Sequence, residues 1–384
     1  MVDIEAEGRR PKINPSHEVG PDALRVCPGV GLAHAPAMPG DPYIPELRSA
    51  WGPVLGVWEG YAADPEIRYS GSSGGAATAL ALYCLEVGGM KHVLHTAARS
   101  DAPYLNETVT SRTRADLLRA TGSRYAPASP CDGLQTIEDA GGHCVFIGKP
   151  CDVAGVQKAC KLRPRLDENL GVTIGFFCAG TPSTRGTLEL LRRMGVEEPS
   201  SLVSLRYRGN GWPGKATAVF RTKRAEESRD LTYQESWGDV LSKHQQWRCK
   251  LCADHTGEFA DIAVGDPWYR TIEEGEPGRS LILARTERGA MLVLAAAKAG
   301  FLEVHDADPG ILPSSQPNLL RARGALWGRL LACQLLCVSY PKYVNIPLFK
   351  HWCVQLNILQ KLKSVLGTIR RILTRNTTLD LRKS

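Results

Sequence analysis

The chain has 384 residues, 43% of them hydrophobic and 23% charged, a globular composition that excludes a disordered or fibrous protein. Its formal charge of +7 is concentrated late, where Lys361, Lys363, Arg370, Arg371, Arg375, Arg382 and Lys383 stand against Asp380 alone. The opening MVDIEAEGRRPKINPSHEVG lacks the apolar run of a signal peptide and no stretch approaches a membrane span, so a cytoplasmic protein without a nucleic-acid partner is expected. In that reducing compartment twelve cysteines argue for metal or redox chemistry at some positions and against a disulfide framework.

Residues 1–50 are rich in Pro and Gly and read as a loop-rich lead-in. The spacing then predicts a helix over 74–87, opened by Ser72 or Ser73 as N-cap and closed by Gly88 and Gly89, followed by a strand over 92–97. Short apolar runs at 143–147 and 172–177 read as buried strands, each ending in a cysteine-bearing loop and followed by a helical pattern, over 153–160 and 183–194. This alternation predicts an α/β region with mostly parallel pairing, whose ligands bind at the carboxyl ends of strands. Strand-like runs at 204–207, 216–221, 260–264 and 280–285, then a helix over 289–299, predict an α+β second region. Beyond Pro313 the text is helical, with Ile358, Leu362, Val365, Ile369 and Leu373 at helical spacing. The fold class expected is therefore α/β with an α+β second region, mixed sheets and a helical C-terminal tail, divided at about 1–50, 51–200, 201–312 and 313–384. The basic amphipathic tail suits either a packing helix or a peripheral contact with a partner or the inner face of the membrane.

Cysteines in polar, Gly- or Pro-containing loops are candidates for chemistry. Cys84, Cys144, Cys160, Cys333, Cys337 and Cys353 stand in apolar or helical contexts and Cys131 in a plain loop, all read as packing residues; Cys27, in Val-Cys-Pro-Gly, is left open. The candidate metal ligands are Cys151 in GKPCD, Cys178 in GFFCAG, and Cys249 with Cys252 in WRCKLCAD. Four soft thiolates suit a [4Fe-4S] cluster or a zinc ion. The stretch Ser70–Gly75 matches G-x-S-x-G spacing around Ser73, but the charged, proline-containing segment ahead of it makes a poor core strand. Small residues before a helix also suit an anion cradle or a plain capped loop, and the Lys-Ser/Thr pair of a P-loop is missing.

The ordered set SGSSGGAATALALYCLE, TGSRYAP, IGKPCDVAGVQK, IGFFCAG, RYRGNGWPG, RCKLCAD, ADIAVGD and SLILARTERG resembles the coenzyme F420 hydrogenase/dehydrogenase beta subunit family, which includes 7-hydroxymethyl chlorophyll a reductase. The resemblance implies an oxidoreductase carrying FAD beside a [4Fe-4S] cluster, with the cluster on Cys151, Cys178, Cys249 and Cys252. It places flavin contacts at Ser72, Ser73, Gly74, Gly75 and Thr78, at Ser123, Arg124 and Tyr125, and at Lys149, in residues 51–200, with 201–312 completing the cluster site. The implied partners are a small-molecule electron donor or acceptor such as F420, and a ferredoxin or redox subunit. Many family members open with a ferredoxin-like module of C-x-x-C cysteines, of which Cys27-Pro-Gly resembles a vestige. The alternative from another class is a zinc-stabilised, non-catalytic partner-binding module linked to polysaccharide biosynthesis; no catalytic residue is assigned.

Overall fold

The computed structural model describes residues 2–4, 8–11, 20–273 and 275–374, so Arg375, Asp380, Arg382 and Lys383 lie outside the described residues. Its centre is a mixed sheet of eight strands: β1 (Gly56–Ala62), β2 (Val93–Ala98), β3 (Asn106–Ser111), β4 (Cys144–Gly148), β5 (Leu170–Phe176), β6 (Ile262–Gly265), β7 (Ser280–Ala284) and β8 (Leu302–Asp306). They lie in the order β8-β1-β7-β6-β5-β4-β2-β3. The inner set β6, β5, β4 and β2 is parallel, and the remaining pairings are antiparallel. The apolar runs explain that placement. Val145, Ile147, Val172, Ile174, Ile262 and Val264 are all buried in one core under the helices α1 (Ala76–Glu86) and α4 (Glu287–Lys298), while Phe146 and Leu170 face a second core under α2 (Pro150–Cys160). Each such aliphatic side chain contributes roughly 1.5–3 kcal/mol on full burial.

The α+β region adds a separate three-stranded antiparallel sheet of Leu202–Arg206, Ala216–Arg221 and Glu226–Leu231, packed on α3 (Thr184–Arg193). Helices Pro317–Gly324, Leu326–Leu335, Leu348–Gln355 and Ile358–Thr374 follow, and no described helix is long and apolar enough to cross a membrane.

Several expectations change. Strands β1, β3 and β8 were not anticipated, and β1 lies inside the sheet between β7 and β8. The lead-in is not uniformly irregular: it holds helices Asp22–Val26 and Pro45–Trp51, and Gly31–Ala33 pairs with Lys342–Val344. Neither Ser72 nor Ser73 caps α1; Gly75 does, in the left-handed region and without a side-chain bond. Cys337 and Cys353 are exposed rather than packed, unlike buried Cys84, Cys144, Cys160 and Cys333.

Candidate functional site

Three adjacent parallel strands deliver the site. β4 ends at Gly148 and hands over Lys149 and Cys151; β5 ends at Phe176 and hands over Phe177 and Cys178; β6 ends at Gly265 and hands over Asp266. These carboxyl ends open into a cavity of about 290 Å3. Its wall includes Ser72, Ser73, Gly75, Thr78, Ser123, Arg124, Tyr125, Lys149 and Cys178. Thus every expected flavin contact but Gly74 borders one space, together with one expected ligand cysteine.

The small-residue loop earns its composition from the backbone. Gly74 and Gly75 have φ of 73° and 72°. A Cβ on Gly74 would stand 2.7 Å from the Arg279 Cα, and one on Gly75 would stand 2.5 Å from the Ile67 carbonyl oxygen. Only glycine allows that combination of turn and close approach. Ala76, Ala77 and Thr78, the first turn of α1, line the cavity, and the start of a helix favours an anion. Ahead of the loop the chain is a helix, Pro65–Ser70, capped by the Asp64 carboxylate, which accepts from Glu66 and Ile67 N–H. A nucleophile elbow requires a strand there, so Ser73 is not presented as in a hydrolase. The Ser72 hydroxyl instead accepts from the Ser123 N–H and hydroxyl at 2.7 and 2.9 Å, tying two of the family-like motifs together.

Arg124 borders the cavity, but its guanidinium is committed to the Asn106 side chain and to the Leu205, Pro103 and Leu105 carbonyls. The Lys149 ammonium pairs with Asp152 at 2.5 Å. Burial alone would lower it, yet Asp152 and Cys151 outweigh burial and raise it, so the pair brings a cation and its counter-charge together to the cavity rim.

The opposite wall was missed in the sequence. Arg208, almost fully buried, donates to both Asp266 oxygens at 3.0 and 2.7 Å, to the Ser72 carbonyl at 2.7 Å and to the Pro213 carbonyl at 2.7 Å. Burial opposes this charge and Asp266 more than offsets it. Trp212, whose indole N–H donates to Asp266, stacks on Trp268 with centroids 5.2 Å apart, and Tyr233 also stacks on Trp268 at 5.2 Å. Arg208 and Asp266 fall inside RYRGNGWPG and ADIAVGD; for Asp266 a polar residue directly after a buried strand was the available signal, while nothing in the local pattern marked Arg208, Tyr233 or Trp268.

Next to the cavity, backbone contacts join the Cys178 loop to the segment that carries Cys249 and Cys252. Thr181 N–H donates to the Cys249 sulfur at 3.3 Å, and the Gln246 N–H bonds the Thr181 carbonyl at 3.0 Å, so the Cys178 loop is stitched to the C-x-x-C segment. A Cβ on Gly180 would sit 3.2 Å from the Cys249 Cβ, which is why the approach needs glycine. Cys178 and His255 exchange two further contacts: Cys178 N–H to the His255 carbonyl at 2.8 Å, and His255 Nδ1 to the Cys178 carbonyl at 3.0 Å. Burial pushes the Cys178 thiol up to about 12 and raises Cys151 and Cys252 as well, with the thiols' mutual repulsion adding to it. Cys151 still touches solvent on one side, although protein surrounds the rest of it. Among the described residues no three Cys, His, Asp or Glu side chains converge to hold a metal ion. As chemistry, four cysteine thiols are the donor type that iron-sulfur sites use. Cys27 opens a turn whose Gly29 carbonyl accepts from Arg248, the residue before Cys249, at 3.2 Å, and its own carbonyl is bonded by Lys158 at 3.2 Å.

Under the C-x-x-C segment lies a buried charge network. Asp254 accepts from the N–H groups of Thr256, Gly257 and Glu258, and Glu258 pairs with Arg323 and with His34 Nε2 at 2.6 Å.

Comparison with known proteins matches this arrangement. The N-terminal model of the coenzyme F420 hydrogenase/dehydrogenase beta subunit covers residues 57–135 and its C-terminal model residues 142–310. The chain is 24% identical to the F420-dependent formate dehydrogenase 1 subunit beta of Methanococcus maripaludis, over 65% of this chain and 61% of that one. It is also 24% identical to the coenzyme F420 hydrogenase subunit beta of Methanosarcina barkeri, over 65% of this chain and 82% of that one. Among solved structures, a chain of the xenon-derivatised F420-reducing [NiFe] hydrogenase complex from Methanosarcina barkeri shares the fold, with a TM-score of 0.56 at 22% identity, over 76% of this chain and 95% of that one. Both family models together span more than half of the sequence, and the chain belongs to the coenzyme F420 hydrogenase/dehydrogenase beta subunit family, a family of oxidoreductase subunits.

Proposed function

We propose that this chain is an iron-sulfur flavoprotein oxidoreductase subunit, coupling one-electron transfer through a [4Fe-4S] cluster to two-electron flavin chemistry on F420 or another small substrate. One observation carries the reading: the cavity bordered by Ser72, Ser73, Thr78, Ser123, Tyr125 and Lys149 shares Cys178 with the four-cysteine group. FAD would supply hydride exchange and the cluster single-electron exchange. The chain's own residues do the rest. The start of α1, with the Gly74–Gly75 turn, would hold the flavin's phosphates; Ser72 and Ser123 fix the loop; Arg208 and Asp266, braced by Trp212, would hold the rest of the cofactor's wall. Lys149 carries a proton at its Nζ that Asp152 retains, keeping a positive group beside the cavity at neutral pH. Cys151, Cys178, Cys249 and Cys252 hold the cluster, and because burial raises three of these thiols, loading it releases protons. In this division residues 51–200 carry the flavin and 201–312 complete the cluster site. The electron partner is a ferredoxin or a redox subunit carrying its own centre.

Anaerobic purification with absorbance spectra and metal analysis tests the reading. Flavin bands with broad iron-sulfur absorption and about four iron per chain are expected. Absence of both after reconstitution refutes it, and one zinc with neither iron nor flavin replaces it with a structural module.

A further inference from the structure

The last described helix, Ile358–Thr374, sits on the protein the opposite way from an ordinary packing helix. Its inward face is Ser364, Thr368 and Ile372, all buried against Leu326–Leu335. The fit is close: Trp352 Nε1 donates to the Ser364 hydroxyl at 3.1 Å, and a Cβ on Gly328 would overlap that hydroxyl. The large aliphatic residues point out. Ile358 is 75% exposed, Leu359 77%, Leu362 51%, Leu366 59% and Leu373 63%. At about 100° per residue these five occupy an arc of roughly 100°, and Lys363 and Arg370 flank its solvent side. Lys361, at the other edge, lies over the Trp352 ring at 5.4 Å.

Charge selects the occupant. From Pro309 to Thr374 the chain contains no Asp or Glu, while it contains Lys342, Lys350, Lys361, Lys363, Arg370 and Arg371 among its cations. A second observation lies on the same helical unit: a groove of about 630 Å3 lined by Trp327, Leu330, Leu331, Leu348 and Phe349, with Lys342 and Lys350 on its wall. Exposed leucines, a basic flank, interfacial aromatics and no acid are the pattern of a helix that lies in the plane of an anionic bilayer. We propose that the C-terminal helical unit docks this protein on an anionic lipid surface, with Leu359, Leu362 and Leu366 entering the headgroup boundary and the Lys and Arg side chains meeting lipid phosphates.

Co-sedimentation of the full chain with phosphatidylcholine vesicles containing phosphatidylglycerol, against pure phosphatidylcholine vesicles, tests this. Binding to the anionic vesicles, released by salt, is expected. The pair Lys363→Gln and Arg370→Gln should weaken it on the order of 25-fold, about 5-fold per charge. The pair Leu362→Glu and Leu366→Glu, at solvent-facing positions, should abolish it with the circular dichroism spectrum unchanged. Equal binding to neutral vesicles, or no binding by the folded wild type, overturns the proposal without reference to any variant. So does self-association or capture of a protein partner that the leucine variants remove while vesicle binding is absent.

Discussion

Glu258 shows how much one side chain near the cysteines depends on its neighbours. Burial would raise its carboxyl, but Arg323 and the His34 bond hold it down to about 2, against an ordinary value of 4.5. A depressed carboxyl pKa adds stability that is complete above the ordinary value and fades as pH falls toward the folded one. Glu258→Gln, which leaves Arg323 buried and uncompensated, should cost about 3–5 kcal/mol near pH 7. The gap in urea midpoint between wild type and variant should narrow steadily below about pH 4. A gap independent of pH contradicts the assignment. At this scale the sequence is legible where local context forces a role. Cys178 follows a strand end in a Gly-containing loop and borders the cavity, whereas Cys151, expected in a loop, stands in the first turn of α2 and does not line it. Arg208 is not legible, because its importance comes from Asp266 and the Ser72 carbonyl, far away in the chain.

At the scale of elements, the Gly74–Gly75 turn carries the sharpest prediction. Gly75→Ala places a side chain in the left-handed region, at about 1–2 kcal/mol, and drives its Cβ against the Ile67 carbonyl. The variant should purify with little flavin, whereas Ser73→Ala should keep it; equal flavin content by absorbance in the two would show that the turn does not shape the cradle. Strands β4 and β5 could be read from their uninterrupted apolar runs. Strand β1, GVWEGYA, could not: its two glycines and Glu59 argue against an inner strand, and it becomes one because Glu59 is held by Arg270, Arg279 and the Tyr269 hydroxyl, the last at 2.6 Å. Helical spacing had a different limit. It placed Ile358, Leu362 and Leu373 on one stripe correctly, but a stripe does not say which way it faces. Cys353, expected inside and found outside on the helix Leu348–Gln355, shares that cause, whereas Cys337 lies past the end of Leu326–Leu335 at φ 54°.

At the scale of the molecule, the C-terminal unit is joined to the site as well as appended to it. Gln316 donates to the Asp266 carbonyl at 2.7 Å, Leu319 borders the cavity, and Arg323 reaches Glu258. A chain ended after Pro309 should therefore lose cooperative unfolding, while one ended after Asn357 should lose far less; similar denaturation curves for both would contradict this coupling. Family membership and fold class were within reach of the sequence because the motifs recur in fixed order, whereas the long-range ties that close the cavity have no local signature.

Those ties also set a timetable. Arg208 bonds a carbonyl 136 residues earlier in the chain, and the inner strand β1 waits for β7 and β8 on either side of it. During vectorial synthesis the emerging N-terminal third carries β1 with both edges unpaired, a species prone to wrong pairing. The pocket cannot close until the region around Leu319 has left the ribosome. Insertion of the proposed flavin would thus be a late maturation event, acting on a nearly finished chain, and the yield of active protein would depend on how long the open form survives before it is filled.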